Sequence, residues 1–129
     1  MHITGIYVAL AALLIIVLSA RISLARRALR VSLGDGGDKV LNRRIRAQAN
    51  AIEYLPIALL LLLSLEWNQT QPVILHICGI VLIVARVLHG VGISRSGGTS
   101  PGRMIGTALT WLLMLLMALL LLWQALVLH

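Results

Sequence analysis

Four stretches of this sequence, Met1–Ala20, Ala47–Leu65, Trp67–Gly92 and Met104–His129, are mostly apolar. Each is about 20 residues or longer, the length a helix needs to cross the hydrocarbon of a bilayer. The first and last contain no Asp, Glu, Lys or Arg, the second contains only Glu53, and the third only Arg86. Inside lipid a backbone must satisfy its own hydrogen bonds, so segments of this kind are helices. The rest of the chain cannot offset them. Of 129 residues, 60% are hydrophobic and 12% charged, and mean hydropathy is +0.98. A soluble body this small exposes much of its area and needs more polar surface than that. The expected fold is therefore an all-α membrane protein, a bundle of four transmembrane helices forming one domain over residues 1–129. "VLSA" before Arg21 has the look of a cleavage site, but no basic residue precedes Arg21, so the first stretch is expected to remain a span.

The charges fall on one side. Eight of the eleven basic residues (Arg21, Arg26, Arg27, Arg30, Lys39, Arg43, Arg44 and Arg46) lie between the first and second spans. "EWNQTQP", between the second and third, has none, and Arg95 and Arg103 lie between the third and fourth. Basic loops stay in the cytoplasm, which predicts both termini outside it, in the inner membrane if the cell is bacterial. A net charge of +7 would fit a nucleic-acid binder, but these arginines flank spans and lack interleaved aromatics for base stacking, so that class is excluded. Much of this charge is a topological and anionic-lipid signal. The single cysteine, Cys78, permits neither a disulfide framework nor a cysteine metal site, and no metal is expected.

Two turn signals divide the helices. "LGDGGDK", Leu33–Lys39, ends one helix and offers Asp38 as N-cap of the next. "RSGGTSPGR", Arg95–Arg103, places Pro101 as first residue of the last helix, behind Ser100. Pro56 interrupts the second span and should bend it.

"RIRAQANAIEYLPIALLLLLSL", residues 44–65, carries polar groups into the head of a greasy helix. With Arg43, the residues Arg46, Asn50 and Glu53 follow steps of three and four and share one helical face. Gln48 and Tyr54 lie off that stripe. A glutamate at the membrane boundary must be paired, protonated or facing water. One reading is a staple, Glu53 with Arg46 or with Arg86, that only joins helices. The other is a binding site, favoured because several polar partners align at once. Arg86 and His89 lie three apart near the end of the third span, Arg26, Arg27 and Arg30 end the first helix, and Arg103 begins the fourth. All sit at one depth. His89 alone would be an interfacial histidine. Together, several arginines, an amide and one carboxylate suit a ligand with more than one carboxylate and one ammonium, the charge pattern of a γ-glutamyl tripeptide such as glutathione.

These residues resemble the MAPEG family, membrane-associated proteins of eicosanoid and glutathione metabolism. "RAQANAIEY" resembles its R-A-x-x-N-x-x-E signature at Arg46, Ala47, Asn50 and Glu53. "ISLARRALRVS", Ile22–Ser32, is similar to the end of the first helix in the leukotriene-forming branch, whereas "ARVLHG", Ala85–Gly90, and Pro101-x-Arg103 look more like the prostaglandin E synthase branch. The resemblance implies a four-helix protomer in a homotrimer, with glutathione between neighbouring subunits near the cytoplasmic face. It implies that Arg46, Asn50 and Glu53 hold the peptide, that Arg86 and His89 complete its cradle, and that Gln48 and Tyr54 match leukotriene-branch contacts. Arg103 or Arg27 would be the cation acting on the thiol or on the second substrate. Two positions depart from the pattern. Ile93 stands where both eicosanoid branches have tyrosine, and Gly98 where the leukotriene branch has its thiol-activating arginine. The functional expectation is a glutathione-dependent transferase or peroxidase for hydrophobic electrophiles. The alternative is a non-catalytic membrane protein whose arginines bind anionic lipid or an acidic partner. A small transporter is a weaker third reading, since only the second helix has a central break.

Overall fold

The computed structural model describes residues 2–127. Met1, Leu128 and His129, which the first and fourth expected spans include, lie outside the described residues. The described residues form four helices: α1 (His2–Leu29), α2 (Lys39–Trp67), α3 (Pro72–Arg95) and α4 (Pro101–Val127). Each is long and apolar enough to cross a membrane, and there is no strand among the described residues. Packing is most extensive between α3 and α4; α1 lies against α2 and α3, and α2 touches all three other helices.

The boundaries follow local chemistry. Helix α1 ends with Arg30 in the left-handed region (φ 55°), and the Val31 N–H bonds the Arg26 carbonyl at 2.9 Å, which satisfies an orphan carbonyl at the helix end. Gly36 and Gly37, at φ 57° and 81°, then turn the chain. Asp38 caps α2, its carboxylate accepting from the Leu41 N–H at 2.7 Å. Asp35 accepts from the Gly37 N–H at 2.9 Å and from Asn42 Nδ2 at 2.7 Å. Those two bonds hold its carboxyl below the ordinary carboxylate range. Helix α2 runs unbroken through Pro56.

One boundary differs from the sequence expectation. Trp67 closes α2 rather than opening the third span. Hydropathy alone cannot place this break, but backbone geometry does: Gln69 takes φ 58°, and Pro72, which has no N–H to give, restarts the helix.

The interior is narrow. Ala47, Ala51, Leu55, Ala58, Leu62 and Leu65 line one face of α2 at helical spacing, and three alanines there let neighbouring backbones approach. Gly79 on α3 accommodates the Tyr7 ring, since a Cβ at that position would lie 2.3 Å from ring carbons. The outer faces carry exposed large apolar residues such as Leu13, Ile16, Ile57, Leu60, Leu115 and Leu119. Such a surface is stable only against lipid or another apolar chain.

At the end away from the basic loops, polar contacts join the helices. Glu66 accepts from the Ile3 and Thr4 N–H groups at 3.1 and 2.9 Å, so a carboxylate from α2 caps α1. Asn68 Nδ2 donates to Gln124 Oε1 at 3.0 Å, and Gln124 Nε2 donates to Thr70 Oγ1 at 2.9 Å. The opposite end, carrying the arginines, is built differently.

Candidate functional site

At the basic end, glycines decide how closely α3 and α4 approach. A Cβ on Gly92 would fall 2.4 Å from the Arg103 backbone nitrogen, and one on Gly106 would fall 2.5 Å from the Ala85 carbonyl oxygen. Without side chains at these points, the first turns of α4 lie directly on the last turns of α3. Ser100 fixes that start, its hydroxyl accepting from the Arg103 N–H at 3.3 Å.

This crossing buries Arg86, which is 2% exposed. Its guanidinium donates from Nε to Thr110 Oγ1 at 3.0 Å, from Nη2 to the Gly106 carbonyl at 3.1 Å, and from Nη1 to Asn50 Oδ1 at 2.6 Å. It also lies over the Tyr54 ring, 5.3 Å from the centroid. A buried cation demands partners, and here they come from α2 and α4 together.

Above Arg86 a cavity of about 140 Å³ opens. Helix α2 supplies Asn42, Arg43, Arg46 and Asn50; α3 supplies His89 and Ile93; Gly97 of the connecting loop and Arg103 of α4 close it. Three guanidiniums and no carboxylate line it. An anion with several acceptor atoms is the ligand such a wall favours. Beside it lies a more apolar groove of about 410 Å³ formed by Thr99, Arg103, Met104, Thr107, Ala108 and Trp111. Arg103 belongs to both walls.

The residues singled out from the sequence divide into two sets. Arg46, Asn50, His89 and Arg103 meet at the cavity; His89 is buried there, 3% exposed. The others lie elsewhere in the chain. Arg86 stands behind Asn50 rather than in the lining. Gln48 donates to Ser19 Oγ at 2.6 Å. Tyr54 accepts at its hydroxyl from Trp111 Nε1, 2.9 Å away. Arg27 is exposed at the end of α1 and Glu53 is exposed on α2. Among the described residues Glu53 forms no ion pair with Arg46 or Arg86, so neither staple is made within the chain.

Sequence reasoning passed over Asn42, Thr110, Gly106 and Gly97. Asn42 was within reach, because it sits four residues before Arg46 on the same stripe. Thr110 and Gly106, four apart on α4, carry no signal until α3 is laid against them.

The sequence model of the MAPEG family matches residues 4–123. The protein of Escherichia coli strain K12 described as Inner membrane protein YecN is 39% identical over 121 residues, which cover 94% of this chain and 91% of that protein. The protein of the same description from Escherichia coli O6:H1 strain CFT073 aligns with the same identity and coverage.

Proposed function

The chain belongs to the MAPEG family of membrane proteins, and from that premise we propose that it is a glutathione-dependent transferase or peroxidase acting on hydrophobic electrophiles. The observation that carries this reading is Arg103, shared by a cationic polar cavity and an apolar groove. A transferase needs that arrangement: a charged peptide on one side, a greasy electrophile on the other, and a cation where they meet.

The cavity's residues fit the carboxylates of glutathione, with Arg46, Asn50 and Arg43 as donors and His89 beside them. Its 140 Å³ falls short of the roughly 300–1,000 Å³ of ordinary ligand pockets. One protomer therefore encloses part of the peptide. A homotrimer, in which a neighbour covers exposed Arg46 and Glu53, supplies the remaining wall and brings Glu53 to the ammonium. The K12 relative's description, together with the distribution of arginines, supports an inner-membrane location with the basic end in the cytoplasm and both termini outside it.

When bound, glutathione supplies a sulfur nucleophile. A free thiol of this kind titrates near 8.5, so only a few per cent is thiolate at neutral pH. Arg103 lies in the first turn of α4, where the helix N-terminus adds partial positive charge, and the two together favour the anionic sulfur. Arg27, exposed at the end of α1, is the alternative cation and would act on the electrophile rather than on the sulfur.

The test is a melting curve in detergent. Glutathione is expected to raise the midpoint, and cysteinylglycine, which lacks the γ-glutamyl group, to leave it unchanged. Equal stabilisation by both, or by neither, rejects this reading. Stabilisation by anionic lipid alone supports the non-catalytic one.

A further inference from the structure

Arg86 is enclosed and has little left to offer a ligand, yet its geometry is tightly determined. The Thr110 hydroxyl donates to the Gly106 carbonyl at 2.8 Å, which leaves its lone pair for Arg86 Nε at 3.0 Å. Nη2 is held by the same Gly106 carbonyl, and the Tyr54 ring lies against the guanidinium. Nη1 then reaches Asn50 at 2.6 Å. A guanidinium only donates. The atom of Asn50 facing Arg86 must therefore be its oxygen, because its amide nitrogen could not accept. The Asn50 amide nitrogen, with two N–H donors, is left for the cavity that Asn50 lines.

We propose that Arg86 is a positioning residue: it locks Asn50 with its N–H donors toward the cavity, so that the cavity prefers a carboxylate to a carboxamide at that point. This deepens the reading of the cavity as a glutathione site and rests on it. A carboxylate only accepts, whereas a carboxamide both accepts and donates. An asparagine free to turn serves either group; one locked by a buried arginine serves the carboxylate.

The experiment compares glutathione with two analogues, one with the glycine carboxyl and one with the γ-glutamyl α-carboxyl converted to the carboxamide. In the parent protein at least one analogue is expected to bind roughly tenfold more weakly than glutathione. In Arg86→Met that ratio should fall by roughly threefold or more, because the amide can turn and only the guanidiniums of the wall still favour the carboxylate, while Arg86→Lys keeps a donor against Asn50 and retains most of it. An arginine with a merely structural role would weaken all three ligands alike and leave the ratio unchanged, and that result overturns the proposal.

Asn50→Asp covers the case in which Arg86→Met does not fold. The new carboxylate still accepts from Nη1 but brings no N–H to the cavity. It is expected to melt at or above the parent temperature and to bind glutathione at least about tenfold more weakly. Earlier melting, or unchanged binding, contradicts the lock. If the parent binds no glutathione, the proposed function fails, and the Asn50→Asp melting temperature alone decides the positioning role: below the parent, the lock is wrong.

Discussion

Gly106→Ala adds one methyl group where the site can least absorb it. Its Cβ would lie 2.5 Å from the Ala85 carbonyl oxygen, 2.7 Å from the His89 nitrogen and 2.8 Å from the His89 Cβ. None of these atoms belongs to a flexible side-chain end, so α4 must withdraw by roughly 0.7–1 Å to restore contacts near 3.5 Å. The same movement stretches the bond from Arg86 Nη2 to the Gly106 carbonyl, 3.1 Å in the parent, beyond hydrogen-bond range. Overpacking costs about 1–3 kcal/mol. The lost charge-assisted bond adds about 1.5–3 kcal/mol, and the better helix propensity of alanine offsets about 1 kcal/mol. The net loss is about 1.5–5 kcal/mol. Thermal melting in a mild detergent measures it, with Gly5→Ala as the comparison, because a Cβ there meets nothing within 4 Å. Gly5→Ala should melt with the parent or slightly above it, and Gly106→Ala well below. If Gly106→Ala melts together with Gly5→Ala, the close crossing of α3 and α4, and the account of how Arg86 is held, are wrong.

Three further outcomes are expected. Glu66→Gln replaces one acceptor oxygen at the α1 N-terminus by a donor, which should lower stability by about 1–3 kcal/mol; glutathione binding, at the other end of the bundle, should be unaffected in a titration. Arg46→Ala and Glu53→Gln, both exposed in the single chain, should weaken glutathione binding roughly ten- to a hundredfold with little change in melting temperature; early melting with normal binding makes their role structural instead. Reporter fusions after Trp67 should behave as exported and those after Gly36 as cytoplasmic, and the reverse pattern refutes the orientation.

Much of the fold is legible in the sequence because the bilayer leaves few choices. Four apolar stretches give four helices, and Asp38 and Pro101 mark helix starts by local chemistry that needs no tertiary contact. The break at Asn68–Gln71 is less legible, since "LEWNQTQPV" joins two apolar stretches and the stop is set by backbone angles at Gln69. The stripe Arg43, Arg46, Asn50 is readable for the same reason as the helices: its spacing is the helical period. Arg86 is different. Sequence spacing places it at the right depth, but its burial depends on Gly106 and Thr110, 20 and 24 residues further along. Only the approach of two backbones, permitted by glycines, turns it inward to hold Asn50 from behind. The position of Glu53 follows the same logic in reverse. The helical period puts it in line with Asn50, and the cavity of the single chain does not reach it.

The central claim, that glutathione binds here with its sulfur held ionised by Arg103, is tested most directly by the ultraviolet absorbance of thiolate in the complex at neutral pH. The parent protein with glutathione should show that absorbance, and Arg27→Leu should keep it while turning over a generic aryl halide more slowly. Arg103→Leu should lose it, with glutathione affinity within a few fold of the parent. Absence of thiolate in the parent complex, or its survival in Arg103→Leu, contradicts the account.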